Sequence, residues 1–251
     1  MIRPFFARSF SGIRRLAAWV GMVAGSALFT GCVTPPVDDS ARIGPFFKPT
    51  NFRGDAQLPV TVRRVVLLPL AGGGVAPAES AAALDPVFRT ELQRQNRFEV
   101  VTLNRADCLR LFQAEEFSSV GVLPADLMNR LRREFDADAV LMIDVTVFKA
   151  YRPLALGVRA KLATLGEEIR LIWSFDNVYS ASDGAVANSA RAHFLESDRG
   201  GVPADMTPSV LQSPSRFASY VSADVFATLP PVYAPPSLVK GKEKPEVATP
   251  R

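Results

Sequence analysis

The residues of this chain that could act chemically are few and scattered. A serine hydrolase needs a nucleophile, a base and an orienting third group. The chain holds one histidine, His193, and no Gly-x-Ser-x-Gly passage. His193 lies between Ala192 and Phe194 in a strand-like stretch, which makes it a solvated strand residue. Cys108 shares a helical apolar stripe with Leu111 and Phe112, the setting of a buried, inert thiol rather than a nucleophile. Gly72-Gly73-Gly74 comes after an apolar run, where unhindered amides can wrap an anion. Without Gly-Lys-Ser/Thr or a spaced Gly-x-Gly-x-x-Gly, it reads as a flexible loop. Asp136 and Asp138 flank Ala137 and are expected to cap and solvate a loop rather than to act as paired acids. Glu115-Glu116 and Glu167-Glu168 are expected at solvated surface or turn positions. Two cysteines and one histidine also exclude a disulfide framework, a zinc finger and a His-rich metal site. No catalytic residue, metal or cofactor is expected.

Periodicity locates the elements that would position these residues. Val65 to Leu70 is a short apolar run that reads as a buried strand. Leu84, Val87, Phe88 and Leu92 recur at helical spacing, and Gln93 to Asn96 close that helix. Phe98 to Leu103 is a second strand, and Asn104 can cap the helix after it. Leu127, Leu131 and Phe135 mark a further helix beginning near Pro124. Val140 to Lys149 alternates, with Leu141, Ile143, Val145 and Val147 on one face. Val158 to Leu165 and Ile169 to Tyr179 are strand-like, the latter with Ile169, Leu171, Trp173 and Phe175 on one side. Asp183-Gly184 is a tight-turn signal, so Val186 to Phe194 is expected to return as a hairpin partner, with Gly184 at positive φ. Pro214 to Leu229 reads as a helix. This order predicts one α/β domain from 62 to 229, a mixed β-sheet flanked by helices.

The chain is 251 residues long and 48% apolar, enough for a sizeable core. Its formal charge is +4, but residues 1–31 carry Arg3, Arg8, Arg14 and Arg15 and no acid. The remainder is neutral, so the basic balance belongs to the leader and does not signal nucleic-acid binding. Arg14 and Arg15 precede an apolar run from Leu16 to Phe29, roughly 21 Å long as a helix and short of a bilayer core. The run reads as a signal peptide covering 1–31.

Leu28-Phe29-Thr30-Gly31-Cys32 resembles the lipobox of bacterial lipoproteins, with Phe29 where Leu is usual. The resemblance implies cleavage between Gly31 and Cys32 and acylation of the Cys32 thiol. Val33, rather than Asp, after the cysteine then points to the outer membrane. Residues 32–61 hold five prolines and read as a tether, with Phe46, Phe47 and Phe52 either pinning it to the body or docking a partner. Residues 230–251 hold six prolines and Lys240-Gly241-Lys242-Glu243-Lys244, and read as a disordered tail.

With that leader in front, Val65-Val66-Leu67-Leu68-Pro69-Leu70, Arg97-Phe98-Glu99-Val100-Val101, Phe135-Asp136-Ala137-Asp138-Ala139-Val140-Leu141 and Ile172-Trp173-Ser174 before Asp183-Gly184 carry a further resemblance. Over about 65–195 the chain resembles the periplasmic α/β lipoproteins grouped around the curli secretion protein CsgG, the penicillin-binding-protein activator LpoB, the flagellar lipoprotein FlgO and the N-terminal domain of TolB. None of these motifs is catalytic. Asp144 departs from them, standing where a Gly or another small residue is typical. The amphipathic hairpins of the pore-forming member have no counterpart here.

These readings converge on a non-catalytic binding module, anchored by lipid at the periplasmic face of the outer membrane and serving an envelope machine through a protein partner. An oligomeric secretion-channel component and an envelope hydrolase are the alternatives. Residues 196–214 lack any period and are long for a connection. They are the expected partner loop, with Arg199 as a charged fork and Met206, Val210 and Leu211 as exposed apolar area.

Overall fold

A computed structural model describes residues 45–197 and 210–232. The strands are β1 (Phe52–Gly54), β2 (Arg64–Leu67), β3 (Glu99–Thr102), β4 (Ala139–Lys149), β5 (Ala155–Thr164) and β6 (Leu171–Ser180). The helices are α1 (Ala78–Arg94), α2 (Arg105–Phe112), α3 (Leu127–Phe135), α4 (Gly184–Ser197) and α5 (Pro214–Ala227). One mixed sheet runs β1-β6-β5-β4-β2-β3; β2 is parallel to β3 and β4, and β4, β5, β6 and β1 pair antiparallel. The chain is thus an α/β domain with helices on both faces of its sheet.

Parallel neighbours need a crossover, and the two crossovers here run in opposite directions along the sheet. From β2 the chain passes through α1 to β3, and then through α2 and α3 back past β2 to β4. Keeping one hand for both places α1 on one face and α2 with α3 on the other. The two buried clusters match that division. The larger gathers Phe88, Trp173, Phe175, Tyr179, Phe217 and Phe226 between the sheet and α1, α4 and α5. The smaller packs Cys108, Phe112, Phe117, Leu127 and Leu131 onto Val66, Val140 and Met142. Asn104 caps α2 as expected, its Oδ1 accepting from the Asp107 amide at 2.8 Å.

Two bulges decide which side chains share a face. In β4 the register shifts between Val145 and Val147, so Val145 faces Val158 while Val147 faces Gly157. Val147 therefore leaves the face it was expected to share with Leu141, Ile143 and Val145. Between β5 and β6 a second shift sets Trp173 opposite Leu162 and Leu171 opposite Ala163. Ile169 lies before the strand; both it and Leu171 are exposed while Trp173 is buried, which overturns the single-sided reading.

The expected hairpin after Asp183-Gly184 is helix α4. The Asp183 Oδ1 accepts from the Ala185 amide at 2.8 Å, and its carbonyl accepts from Ala187 at 2.9 Å. The alanines at 185, 187, 190 and 192 favour helix once that turn is held. Val186, Ala187 and Ala190 bury its inner side. Gly184 has no positive φ, and open space surrounds it.

Both flanks reach further into the fold than the expected boundaries at 62 and 229. Phe47 donates its amide to the Ala185 carbonyl and to the Ser189 hydroxyl, and its ring centroid lies 5.0 Å from that of Tyr179. Strand β1 then pairs with β6, and Leu58 and Val62 are buried. At the other end, the Leu58 amide donates to the Pro231 carbonyl, and Arg97 donates to the Pro230 carbonyl at 2.7 Å. Residues 233–251 lie outside the described residues.

Candidate functional site

The triglycine loop, Asp85, Arg105 and Glu116 form one polar cluster at the end of β2. Arg105 on α2 bonds Asp85 of α1 at 2.9 Å, Glu116 at 2.7 Å and the Leu70 carbonyl at 2.7 Å. Asp85 in turn accepts from the Leu70 amide, and Glu116 from the Gly72 amide, each at 2.9 Å. The amide that could open a phosphate cradle is thus held by a carboxylate of the same chain. Gly73 and Gly74 adopt positive φ and make the turn itself. Burial pushes the Asp85 carboxyl above its ordinary value, with the Leu70 amide and Arg105 pulling back. Glu116 is therefore no solvated surface acid, because Arg105 and Gly72 draw it in; Glu115, Glu167 and Glu168 are exposed.

The remaining candidates also have structural occupations. Cys108 is fully buried, and burial pushes its thiol up to about 12, far from a reactive thiolate. Asp138 accepts from the amides of Arg63 and Arg64 at 2.9 Å, tying the start of β2 to that of β4. Asp136 ends α3 in the left-handed region. Asp144 is buried, and its carboxylate accepts from the Ser119 amide at 3.0 Å and from the Ser119 hydroxyl.

His193 belongs to α4 and not to a strand, its ring lying against those of Phe194 and Tyr220. With Phe46, Ser189, Tyr220 and Asp224 it lines a shallow cavity of about 330 Å³. Tyr179 donates its hydroxyl to Asp224 at 2.7 Å. Burial raises Asp224 above the ordinary carboxylate value, and burial together with that acid raises Tyr179 and Tyr220. The Ser189 hydroxyl accepts from the Phe47 amide, so the group that could resemble a nucleophile fixes the incoming chain instead.

Gly31 and Cys32, the expected cleavage and acylation positions, lie outside the described residues, as do Arg199 and Met206 of the expected partner loop. Val210 of that loop is buried and Leu211 packs half-buried against the same core, so neither offers the exposed apolar area expected of it. The start of α5 brings them in: Ser213 caps that helix and fixes the approach of the preceding residues.

What sequence reasoning missed is a polar surface on the half of the sheet that α2 and α3 leave open. Strand register sets Arg53, Ser174 and Lys161 side by side across β1, β6 and β5. The next row is Asn51, Asp176 and Arg159. Arg159 pairs with Asp176 at 2.8 Å, and Lys161 donates to the Ser119 carbonyl at 2.9 Å. These residues line a depression of about 370 Å³. The alternation Val158-Arg159-Ala160-Lys161-Leu162 carried the signal. Only the pairing of β1 with β6 shows that Arg53 joins it.

No protein-family model and no curated protein matches the chain. Among solved structures, it is similar to a PelC L103M dodecamer from Paraburkholderia phytofirmans, at 15% identity and a TM-score of 0.38, covering 69% of this chain and 95% of that one. It is similar to the lipoprotein GNA1162 from Neisseria meningitidis at 14% identity and a TM-score of 0.36, covering 56% and 99%. The LpoB C-terminal domain from Salmonella enterica matches at 15% identity and a TM-score of 0.33, covering 47% and 82%. The α/β assignment rests on the chain's own strand order and helices.

Proposed function

We propose that this protein is a lipid-anchored, non-catalytic accessory module at the periplasmic face of the outer membrane, binding a protein partner of an envelope assembly, secretion or peptidoglycan machine. The observation that carries the reading is Thr30-Gly31-Cys32 at the end of a charged and then apolar leader. Two chains and an N-terminal acyl group on Cys32, at about 0.8 kcal/mol per buried methylene, would hold the protein stably. Among the described residues no helix is long and apolar enough to cross a membrane. The polar groups of the Arg105 cluster bond to backbone amides, a carbonyl and each other.

Metabolic labelling with palmitate tests the anchor. The parent chain should incorporate label and fractionate with the outer membrane, and Cys32→Ser should do neither. Incorporation independent of Cys32 sinks the anchor. Crosslinking in intact cells, followed by identification of the captured envelope protein, tests the accessory role.

A further inference from the structure

The open half of the sheet carries an excess of positive charge. Neighbouring strands lie about 4.8 Å apart and successive same-face rows about 7 Å apart, so Lys161 lies about 7 Å from Arg159 and about 10 Å from Arg53, with Arg53 and Arg159 about 12 Å apart. Asp176 is neutralised by Arg159, and Asp144 is buried against Ser119. Among the described residues Arg53 has no ion-pair partner, and Lys161 uses one of its three N–H groups on the Ser119 carbonyl. The loop that supplies Ser119 continues into Val120 and Val122, which are 61% and 102% exposed. Two aliphatic side chains thus project into water beside a group of cations.

We propose that this half-face, with the Val120–Val122 loop tip, is a contact for an anionic lipid surface. Arg53 and Lys161 hold headgroup phosphates, and the two valines enter the apolar boundary beneath them. Charge complementarity selects an anion, and the valines select among anions. An acidic peptide or a soluble phosphate would satisfy the cations and leave the valines in water, whereas a bilayer interface offers both environments.

The test uses the full-length protein as matured in its host, carrying Val122→Trp, with vesicles of phosphatidylcholine alone or mixed equally with phosphatidylglycerol. Trp173 is buried, and the parent chain supplies its background emission. Mixed vesicles should shift the emission of the introduced tryptophan to the blue, and phosphatidylcholine alone should not. Arg53→Gln with Lys161→Gln should raise the lipid concentration that gives half the shift by about 25-fold, each cation near an anionic surface contributing about fivefold. Lys161→Arg should keep the shift, and circular dichroism checks that every variant is folded. No shift in mixed vesicles, an equal shift in both vesicles, or a shift indifferent to the two glutamines overturns the proposal. A vesicle-free shift with polyglutamate would assign the face to an acidic protein segment and overturn it as well. Flotation with phosphatidylcholine vesicles reads the anchor separately. Flotation without a shift overturns the lipid contact and spares the anchor, whereas a shift in mixed vesicles without flotation on neutral ones supports the contact and sinks the anchor.

Discussion

At the scale of single residues, charge in this protein serves to hold the ends of elements together. Arg105 is the plainest case, since its side chain is only 16% exposed and it satisfies two carboxylates and a carbonyl. Arg105→Met would fill similar volume while leaving Asp85 and Glu116 half-buried without a counter-charge. Removing one partner of such a pair is costly because the other remains desolvated. Chemical denaturation should show a loss of about 2–3 kcal/mol, and a loss under about 0.5 kcal/mol would mean that solvent already screens the cluster. Asp224 behaves in the opposite sense. Its folded carboxyl titrates above the ordinary value of 3.8, because burial disfavours the charge more than the Tyr179 hydroxyl favours it. As pH rises from 3.8, the unfolded chain releases this proton while the folded chain still holds it, so the group's contribution to stability falls. Asp224→Asn keeps an acceptor for Tyr179 and removes the titration. The stability of the parent minus that of the variant should therefore decline as pH rises above the ordinary value. A difference that grows with pH would show Asp224 to be favoured as a carboxylate.

At the scale of elements, the bulge in β4 and the start of α4 make contrasting demands on glycine. A Cβ at Gly157 would lie 2.5 Å from the Thr146 Oγ1 and 2.8 Å from the Val147 amide nitrogen, because the extra residue of the bulge crowds the strand opposite. Gly157→Ala should cost on the order of 1–3 kcal/mol, read from the urea midpoint. Gly184 sits in open space at the first turn of α4, and Gly184→Ala should raise stability by about 0.5–1 kcal/mol. A loss at Gly184 would restore the tight turn that Asp183-Gly184 suggested in isolation. That dipeptide misled because a turn signal and a helix cap use the same Asp chemistry, and only the residues after it distinguish the two. The four alanines at 185, 187, 190 and 192 were available in the sequence and outweigh the strand-like alternation of Val186 to Phe194.

At the scale of the whole molecule, the two flanks close the larger core. The segment from Phe47 to Val62 passes α4, β6 and α5, and Pro230 to Val232 returns to meet Leu58. Phe47→Ala should therefore destabilise the body by about 1–2 kcal/mol, through its half-buried ring against Tyr179. An unchanged melting temperature would place the boundary of the folded unit after Phe47. The β2-to-β4 order, α1, the Asn104 cap and the burial of Cys108 were legible from the sequence because each rests on local periodicity or on the chemistry of a single side chain. The capping position of Asp136 was legible for the same reason, whereas the bonds of Asp138 to the Arg63 and Arg64 amides depend on strand pairing. Which side of the sheet Leu171 and Val147 face was not, since a bulge reverses every later side chain and arises from how two strands meet. Nor was the cluster of Arg53, Arg159 and Lys161, because residues more than a hundred positions apart become neighbours only through the pairing of β1 with β6. By itself the sequence determined the class of fold, the order of most elements and the position of the lipobox-like motif, all of them carried by contiguous residues. Tertiary structure alone decided that Val210 is core rather than surface, that the flanks belong to the body, and that three cations share one open face, because each depends on contacts between segments distant along the chain.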